Sequence, residues 1–179
     1  MQKYHEMTIA GLTRQLPICR INEHLSIAAF VIFGDAELTV SAAAELLKKV
    51  PDFDVIITAE AKGIPLGYEL SRQSGKKYFV ARKYPKLYMV APVSVEVTSI
   101  TTDKKQVLYL DGPEMDYVCG KRVLIVDDVI STGESLGALE TLVTRSGGEI
   151  VCRAAILAEG DAAKRDDICF LEELPLFFD

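Results

Sequence analysis

Apolar residues fall along this chain in short blocks separated by polar turns, and the blocks alternate between two periods. Leu38 to Val50 (LTVSAAAELLKKV) puts Leu38, Ala42, Leu46 and Leu47 on roughly one face, with Lys48 and Lys49 near its C-terminal end. That spacing predicts a helix over 38–50. Asp54 to Thr58 (DVIIT) reads as a central strand, 59–65 as a loop, and Leu66 to Gln73 as a short helix ended at Ser74-Gly75. Tyr78 to Ala81 predicts another short strand. Arg82 to Leu87 (RKYPKL) mixes cations with Tyr84 and Pro85 and reads as an exposed loop. Val93 to Ile100 and Gln106 to Leu110 alternate around the polar residues 101–105, which predicts a hairpin. Val123 to Val126 is an uninterrupted apolar run, the mark of a strand buried on both faces. A helix over 134–146 ends at Gly147-Gly148, and Ile150 to Leu157 begins the next strand. Strand and helix alternate, and the strands are apolar. The expected class is α/β, a mostly parallel central sheet flanked by helices, with its ligand site beyond the carboxyl ends of the strands. Loops 59–65, 82–88 and 127–135 all lie at such ends.

Composition narrows the picture. The 179 residues suit one domain with a full core, and 49% apolar with 26% charged residues suits a soluble protein. A net charge of −6 argues against a general nucleic-acid or membrane-surface binder, because either needs a basic face. No apolar run approaches membrane-spanning length, and MQKYHEMTIAGL lacks a signal-peptide pattern, so a cytoplasmic location is expected. Cys19, Cys119, Cys152 and Cys169 are scattered without paired metal spacing and read as reduced thiols. Neither His5 nor His24 lies near another ligand type at helix spacing.

The chemistry concentrates in Val123 to Ser135, VLIVDDVISTGES. Asp127 and Asp128 sit where the buried strand is expected to emerge. Ser131, Thr132, Gly133 and Ser135 follow, just before a helix-periodic stretch. Free amides and the dipole at a helix N-terminus favour a phosphate there. Paired acids are unsuited to phosphate but suited to sugar hydroxyls or, through water, a hard cation. A phosphorylated ribose satisfies both halves. Each part has an ordinary structural reading too, since a Thr-Gly turn at a helix start is commonly a simple cap. An Asp-Asp pair after an apolar strand also opens receiver domains, but only 51 residues follow Asp128, too few for that fold.

The thirteen-residue run closely resembles the phosphoribosyl-pyrophosphate (PRPP) signature of type I phosphoribosyltransferases. Glu60-Ala61-Lys62-Gly63-Ile64 looks like the pyrophosphate loop of the adenine-specific members, and Arg82 to Leu87 resembles the basic start of their flexible catalytic loop. Gly120-Lys121-Arg122 before the signature is also usual there. The likeness covers roughly residues 38–158. It implies a single phosphoribosyltransferase domain with an N-terminal hood over 1–37, a core over 38–158 and a C-terminal segment over 159–179.

The resemblance carries roles with it. Asp127 and Asp128 would hold the ribose 2′- and 3′-hydroxyls, with Mg²⁺ held through those hydroxyls or water. Ser131, Thr132, Gly133, Glu134 and Ser135 would wrap the 5′-phosphate. Glu134 departs from the adenine group's usual glycine, so its side chain is expected to face away from the ligand while its amide faces it. Ala61, Lys62 and Gly63 would contact pyrophosphate, in a loop that in the family often carries a non-proline cis peptide, and Arg82, Lys83 and Lys86 would join them. Glu96 is where the adenine group's loop glutamate is sought, against the reading of an ordinary strand carboxylate. Glu60 reads either as functional or as a carboxylate pairing with Lys62 or local amides.

The base is the weakest link. An aspartate found at the position of Ser131 in hypoxanthine-guanine members is absent here, which tilts the reading toward adenine, with xanthine or another oxopurine second. Val129 and Ile130 are expected to line the base pocket. Phe30 and Phe33 are candidates to stack on the base, although the same alternation suits ordinary core. The implied activity is a purine salvage transfer from PRPP to a purine base, giving a nucleoside monophosphate and pyrophosphate, in a homodimer that shares loop residues. The other class of reading is a non-catalytic PRPP-sensing protein. Such proteins often carry a DNA-binding extension, for which this chain has neither room nor a basic recognition helix.

Overall fold

A computed structural model describes residues 3–98 and 105–178. The central sheet is five-stranded and parallel throughout. In spatial order it runs β10 (Cys169–Leu174), β9 (Glu149–Glu159), β8 (Arg122–Ile130), β4 (Val55–Ala59) and β5 (Lys77–Ala81). Side chains alternate across each strand, so β4 and β8 feed two separate cores. Val55, Ile57, Val123 and Ile125 face one cluster with Leu139, Leu142 and Val143. Ile56, Leu124 and Val126 face the other, with Ala42, Leu46, Leu66 and Leu70. Helices α1 (Ala36–Lys49) and α2 (Gly63–Ser74) cover the second face, while α3 (Gly112–Val118) and α4 (Glu134–Arg145) cover the first. Both faces are therefore sealed, which is why the strands read as apolar runs. The α/β class expected from the sequence is the one observed.

The remaining strands form two antiparallel units. β1 (Tyr4–Ile9), β2 (Leu12–Arg20) and β3 (Leu25–Ala28) make a hood sheet, joined on the far side of β3 by β11 (Leu176–Phe178). The β1–β2 turn uses two left-handed residues, Ala10 (φ 50°) and Gly11 (φ 80°), as tight hairpins require. Arg14 on β2 grips Asp35, the N-cap of α1, with Nε 2.6 Å from its carboxylate, and so ties hood to core. The second unit is the hairpin β6 (Val93–Thr98) and β7 (Lys105–Leu110), which packs on α4. It joins the sheet edge through a backbone bridge, Arg82 with Tyr109 (N–O 2.8 Å both ways).

Several boundaries move from their expected places. Helix α2 starts at Gly63 rather than Leu66, because Pro65 sits in its first turn, where proline is tolerated. Strand β8 continues through both aspartates to Ile130, so the acids belong to the strand end rather than lying beyond it. The hairpin is present, but its tip, residues 99–104, lies outside the described residues. Helix α3 was not anticipated. Segment 159–179 supplies both the fifth sheet strand β10 and the hood strand β11. All four cysteines are free thiols.

Candidate active site

The carboxyl ends of β4, β5 and β8 converge on one cleft of about 540 Å³, a volume suited to a small metabolite. Its lining joins Glu60, Ala61 and Lys62 after β4, Lys83 after β5, and Asp127, Asp128, Val129, Ser131 and Ser135 on and after β8. The hood closes the opposite wall with residues 27–31. Segments far apart in the chain thus meet as the loop positions suggested.

The two acids differ in setting. Asp128 is buried, its side chain 4% exposed, and Lys62 Nζ lies 2.8 Å from its Oδ2. Asp127 is partly exposed; its Oδ1 accepts a hydrogen bond from the Asp128 amide at 2.8 Å. Burial in the strand end, then the adjacent Asp128 carboxylate, push the Asp127 carboxyl well above the ordinary carboxylate range. The strand thus carries Asp128 into the interior under the lysine and leaves Asp127 at the cleft.

Beyond the acids the chain turns through Gly133, left-handed at φ 81°, into α4. Gly133 is the N-cap and offers no side-chain acceptor, so the first-turn amides are left for a ligand. Residues 129–136 with Asp127 enclose a concavity of about 60 Å³ at this turn. All five residues assigned to phosphate, Ser131 to Ser135, line it. Glu134 is half-buried in the first helical turn, where a negative charge suits the dipole. Arg165, not anticipated from the sequence, lies beside Gly133: a Cβ there would meet its Nη1 at 3.2 Å. Its guanidinium is held by Asp167 at 2.6 Å.

The loop after β4 is shaped by close approach. The Glu60–Ala61 peptide is cis, as the family likeness implied. Gly63 follows at the start of α2, and a Cβ there would stand 2.1 Å from Thr58 Oγ1 and 3.1 Å from Asp127 Oδ1. Only glycine lets the helix approach the acids this closely. Glu60 turns out to be a brace: it accepts from the Lys83 amide (3.0 Å) and from Arg82 Nε (3.1 Å). The Lys83 amide and the nearby cations hold its carboxyl below the usual range. Arg82 is consequently committed to Glu60 and lines a different hollow, beside Tyr88 and Glu114.

Other assigned residues separate. Lys83 faces the cleft, whereas Lys86 does not line it. Glu96 lies on the hairpin against α4 and is likewise absent from the lining. Val129 lines the cleft, but Ile130 is buried in the first core cluster and borders only the phosphate turn. Phe30 borders the cleft mainly through backbone, its carbonyl accepting from Lys62 Nζ at 3.4 Å, while its ring packs in the core. Phe33 is exposed in a separate groove with Val40 and Tyr68. Neither ring is offered for stacking, because the 30–33 alternation serves core packing and the α1 side of the molecule. Sequence reasoning missed Glu159, at the carboxyl end of β9, and Leu174 of β10; both line the cleft. Burial pushes the Glu159 carboxyl up, while Lys62 opposes the shift. A lone acid ending an apolar strand carries no signal that separates it from an ordinary surface carboxylate.

No group of three or more His, Cys, Asp or Glu among the described residues is arranged to hold a metal by itself. Asp127 and Asp128 nevertheless provide oxygen donors that suit a hard cation sharing its shell with a ligand and water.

Comparison with known proteins agrees with this layout. A family model for the phosphoribosyl transferase domain matches residues 34–174. The hypoxanthine/guanine phosphoribosyltransferase of Methanotorris igneus is 38% identical over 131 residues, 72% of this chain and 67% of that protein. The enzyme of the same name from Methanocella arvoryzae is 38% identical over 114 residues, 63% of this chain and only 56% of that protein. The match thus spans between about half and two thirds of these relatives' length. Adenine phosphoribosyltransferase from Thermoanaerobacter pseudethanolicus shares the fold, with a TM-score of 0.66 at 24% identity over 96% of this chain and 95% of that one. The Saccharomyces cerevisiae adenine phosphoribosyltransferase gives 0.63 at 17% identity over 95% and 92%. With its signature at the cleft and four fifths of its length under one family description, the chain belongs to the phosphoribosyl transferase domain family.

Proposed function

We propose that the protein transfers 5-phosphoribose from PRPP to a purine base, adenine first, releasing pyrophosphate and a nucleoside monophosphate. The observation that carries this reading is the convergence, in one cleft, of the uncapped α4 turn, the paired aspartates and Lys62. The α4 turn takes the 5′-phosphate through the amides and hydroxyls of 131–135. Asp127 and Asp128 accept from the ribose diol. Ala61, Lys62, Gly63 and Lys83 take pyrophosphate. Arg82 and Lys86 act at longer range, Arg82 as a strut for Lys83 through Glu60.

Asp127 and Asp128, through the diol and water, would hold Mg²⁺, which would supply positive charge for the pyrophosphate. When ligand occupies the acids, Lys62 is free to turn from Asp128 toward the leaving group. As the C1–pyrophosphate bond breaks, positive charge builds on the sugar and negative charge on the leaving group. A base nitrogen attacks C1. The rate comes from positioning and charge stabilisation, without a protein nucleophile. The hood, which closes one wall of the cleft, is the element that would exclude water. A homodimer and a cytoplasmic location complete the proposal.

A second reading, an oxopurine substrate, is favoured by one observation: the curated relatives above are named hypoxanthine/guanine enzymes. The test is a panel assay with PRPP, Mg²⁺ and adenine, hypoxanthine, guanine, xanthine, uracil or orotate, reading pyrophosphate. Release with adenine at the highest kcat/KM supports the first reading, and release with an oxopurine supports the second. PRPP binding without release for any base moves the protein to the sensing class, and absence of PRPP binding ends the proposal.

A further inference from the structure

Once sugar, phosphate and pyrophosphate have taken their residues, little of the cleft is left for a base. The remaining wall consists of the hood segment 27–31, Val129, Leu174 and Glu159. Every side chain in that remainder is apolar except one. Glu159 ends β9, one residue past the Ala158–Ile130 pairing with β8, and is paired in register with Leu174 of β10. It is half-buried, and among the described residues its carboxylate receives no hydrogen bond. The nearest cation acting on it is Lys62, which is itself 2.8 Å from Asp128. An acceptor placed in an otherwise apolar pocket is the kind of group that fixes ligand identity.

We infer that Glu159 is the specificity-determining residue for the base, and that it selects a 6-aminopurine over a 6-oxopurine by accepting from the exocyclic amine. The inference rests on the phosphoribosyl-transfer reading and extends it to the choice of base. With ribose fixed at Asp127 and Asp128, the base is attached through its five-membered ring, and its C6 edge is the edge farthest from the sugar. An amine there offers N–H to a carboxylate, which only accepts. A carbonyl there sets two acceptors face to face, so the C6 substituent returns no bond and an oxopurine reaches the carboxylate only through its neighbouring N1–H, out of line with C6. Sites that hydrogen-bond one substituent discriminate strongly against an analogue that cannot return the bond.

The test is equilibrium binding by calorimetry of AMP, IMP, GMP and ribose 5-phosphate to the full chain and to Glu159→Gln. Glutamine keeps the size and can both donate and accept. The wild type is expected to prefer AMP over IMP by about 10–100-fold, and the variant to bring the two within about threefold. Ribose 5-phosphate, which has no base, is expected to bind both proteins alike, and this also shows that the variant is folded. Equal ribose 5-phosphate binding with an unchanged AMP-to-IMP ratio overturns the role of Glu159 alone. A wild-type preference for GMP or IMP overturns the amine assignment. Failure of ribose 5-phosphate to bind the wild type removes the underlying reading, and this inference with it.

Discussion

The two halves of the cleft are built in opposite ways. The half proposed for sugar and phosphate is nearly continuous in sequence: nine residues, 127–135, run from a strand end through one turn into one helix. The half proposed for the base is assembled from β3 and the residues after it, Val129, and the ends of β9 and β10, so it joins residues 27–31 to Glu159 and Leu174 more than a hundred positions later. A continuous grip is set by local geometry and backbone amides, so it tolerates little change. A wall assembled from distant elements can exchange one side chain without disturbing the other half, which suits a family that varies the base and keeps the sugar.

That contrast yields graded expectations. The largest effect belongs to Asp127→Asn with Asp128→Asn, which is expected to reduce kcat/KM by about 10⁴-fold or more. The circular dichroism spectrum should remain folded; normal turnover in this variant would remove the acids from the mechanism. Next comes Lys62→Ala, expected to lower kcat/KM by roughly 10²-fold through slower pyrophosphate departure. An unchanged value would leave the lysine as nothing more than a partner for Asp128.

Gly63→Ala probes the close approach of α2 to the acids. The added Cβ collides with Thr58 Oγ1, so a loss of about 1–3 kcal/mol is expected by denaturant titration. Removing the obstacle in Thr58→Ala/Gly63→Ala should recover part of that loss. Strictly additive losses would show that the clash is not the cause.

The smallest effect concerns pH. The folded-state pKa of Asp127 is raised, so the native chain holds a proton that the unfolded chain releases above the ordinary carboxylate range. Stability is then highest at low pH within that window and falls as pH rises through the raised pKa. Asp127→Asn should flatten this fall and raise Tm at pH 8, by about 2–4 °C for each kcal/mol relieved. Identical pH profiles for wild type and variant would contradict the assigned burial cost.

Legibility in the sequence follows the same division. The apolar runs of β4 and β8, the period of α1 and the signature turn are local, and their expected positions agree with the fold. Helix α3 was readable in principle, because Asp111 and Glu114 form a reciprocal capping box before it. Its seven residues beginning Gly-Pro are too few to display a helical period. The hood strands escaped notice because β1 and β2 alternate polar with modest apolar side chains, a pattern that only pairing makes into a sheet. Phe30 and Phe33 misled because aromatic residues near a purine site invite a stacking role, whereas burial spends one on the core and exposure leaves the other outside the cleft. Glu159 gains its meaning only from what surrounds it in space.

The short step from Leu174 to Leu176 has a mechanical outcome. One residue separates the last rung of the rigid parallel sheet from a strand that belongs to the roof of the cleft. Pro175 and residues 29–35 are the two backbone connections between roof and core, and a spectroscopic label placed on Phe178 would travel with the roof rather than with the floor. Movement of the roof would therefore register at Phe178, some fifty positions along the chain from Asp127 and Asp128.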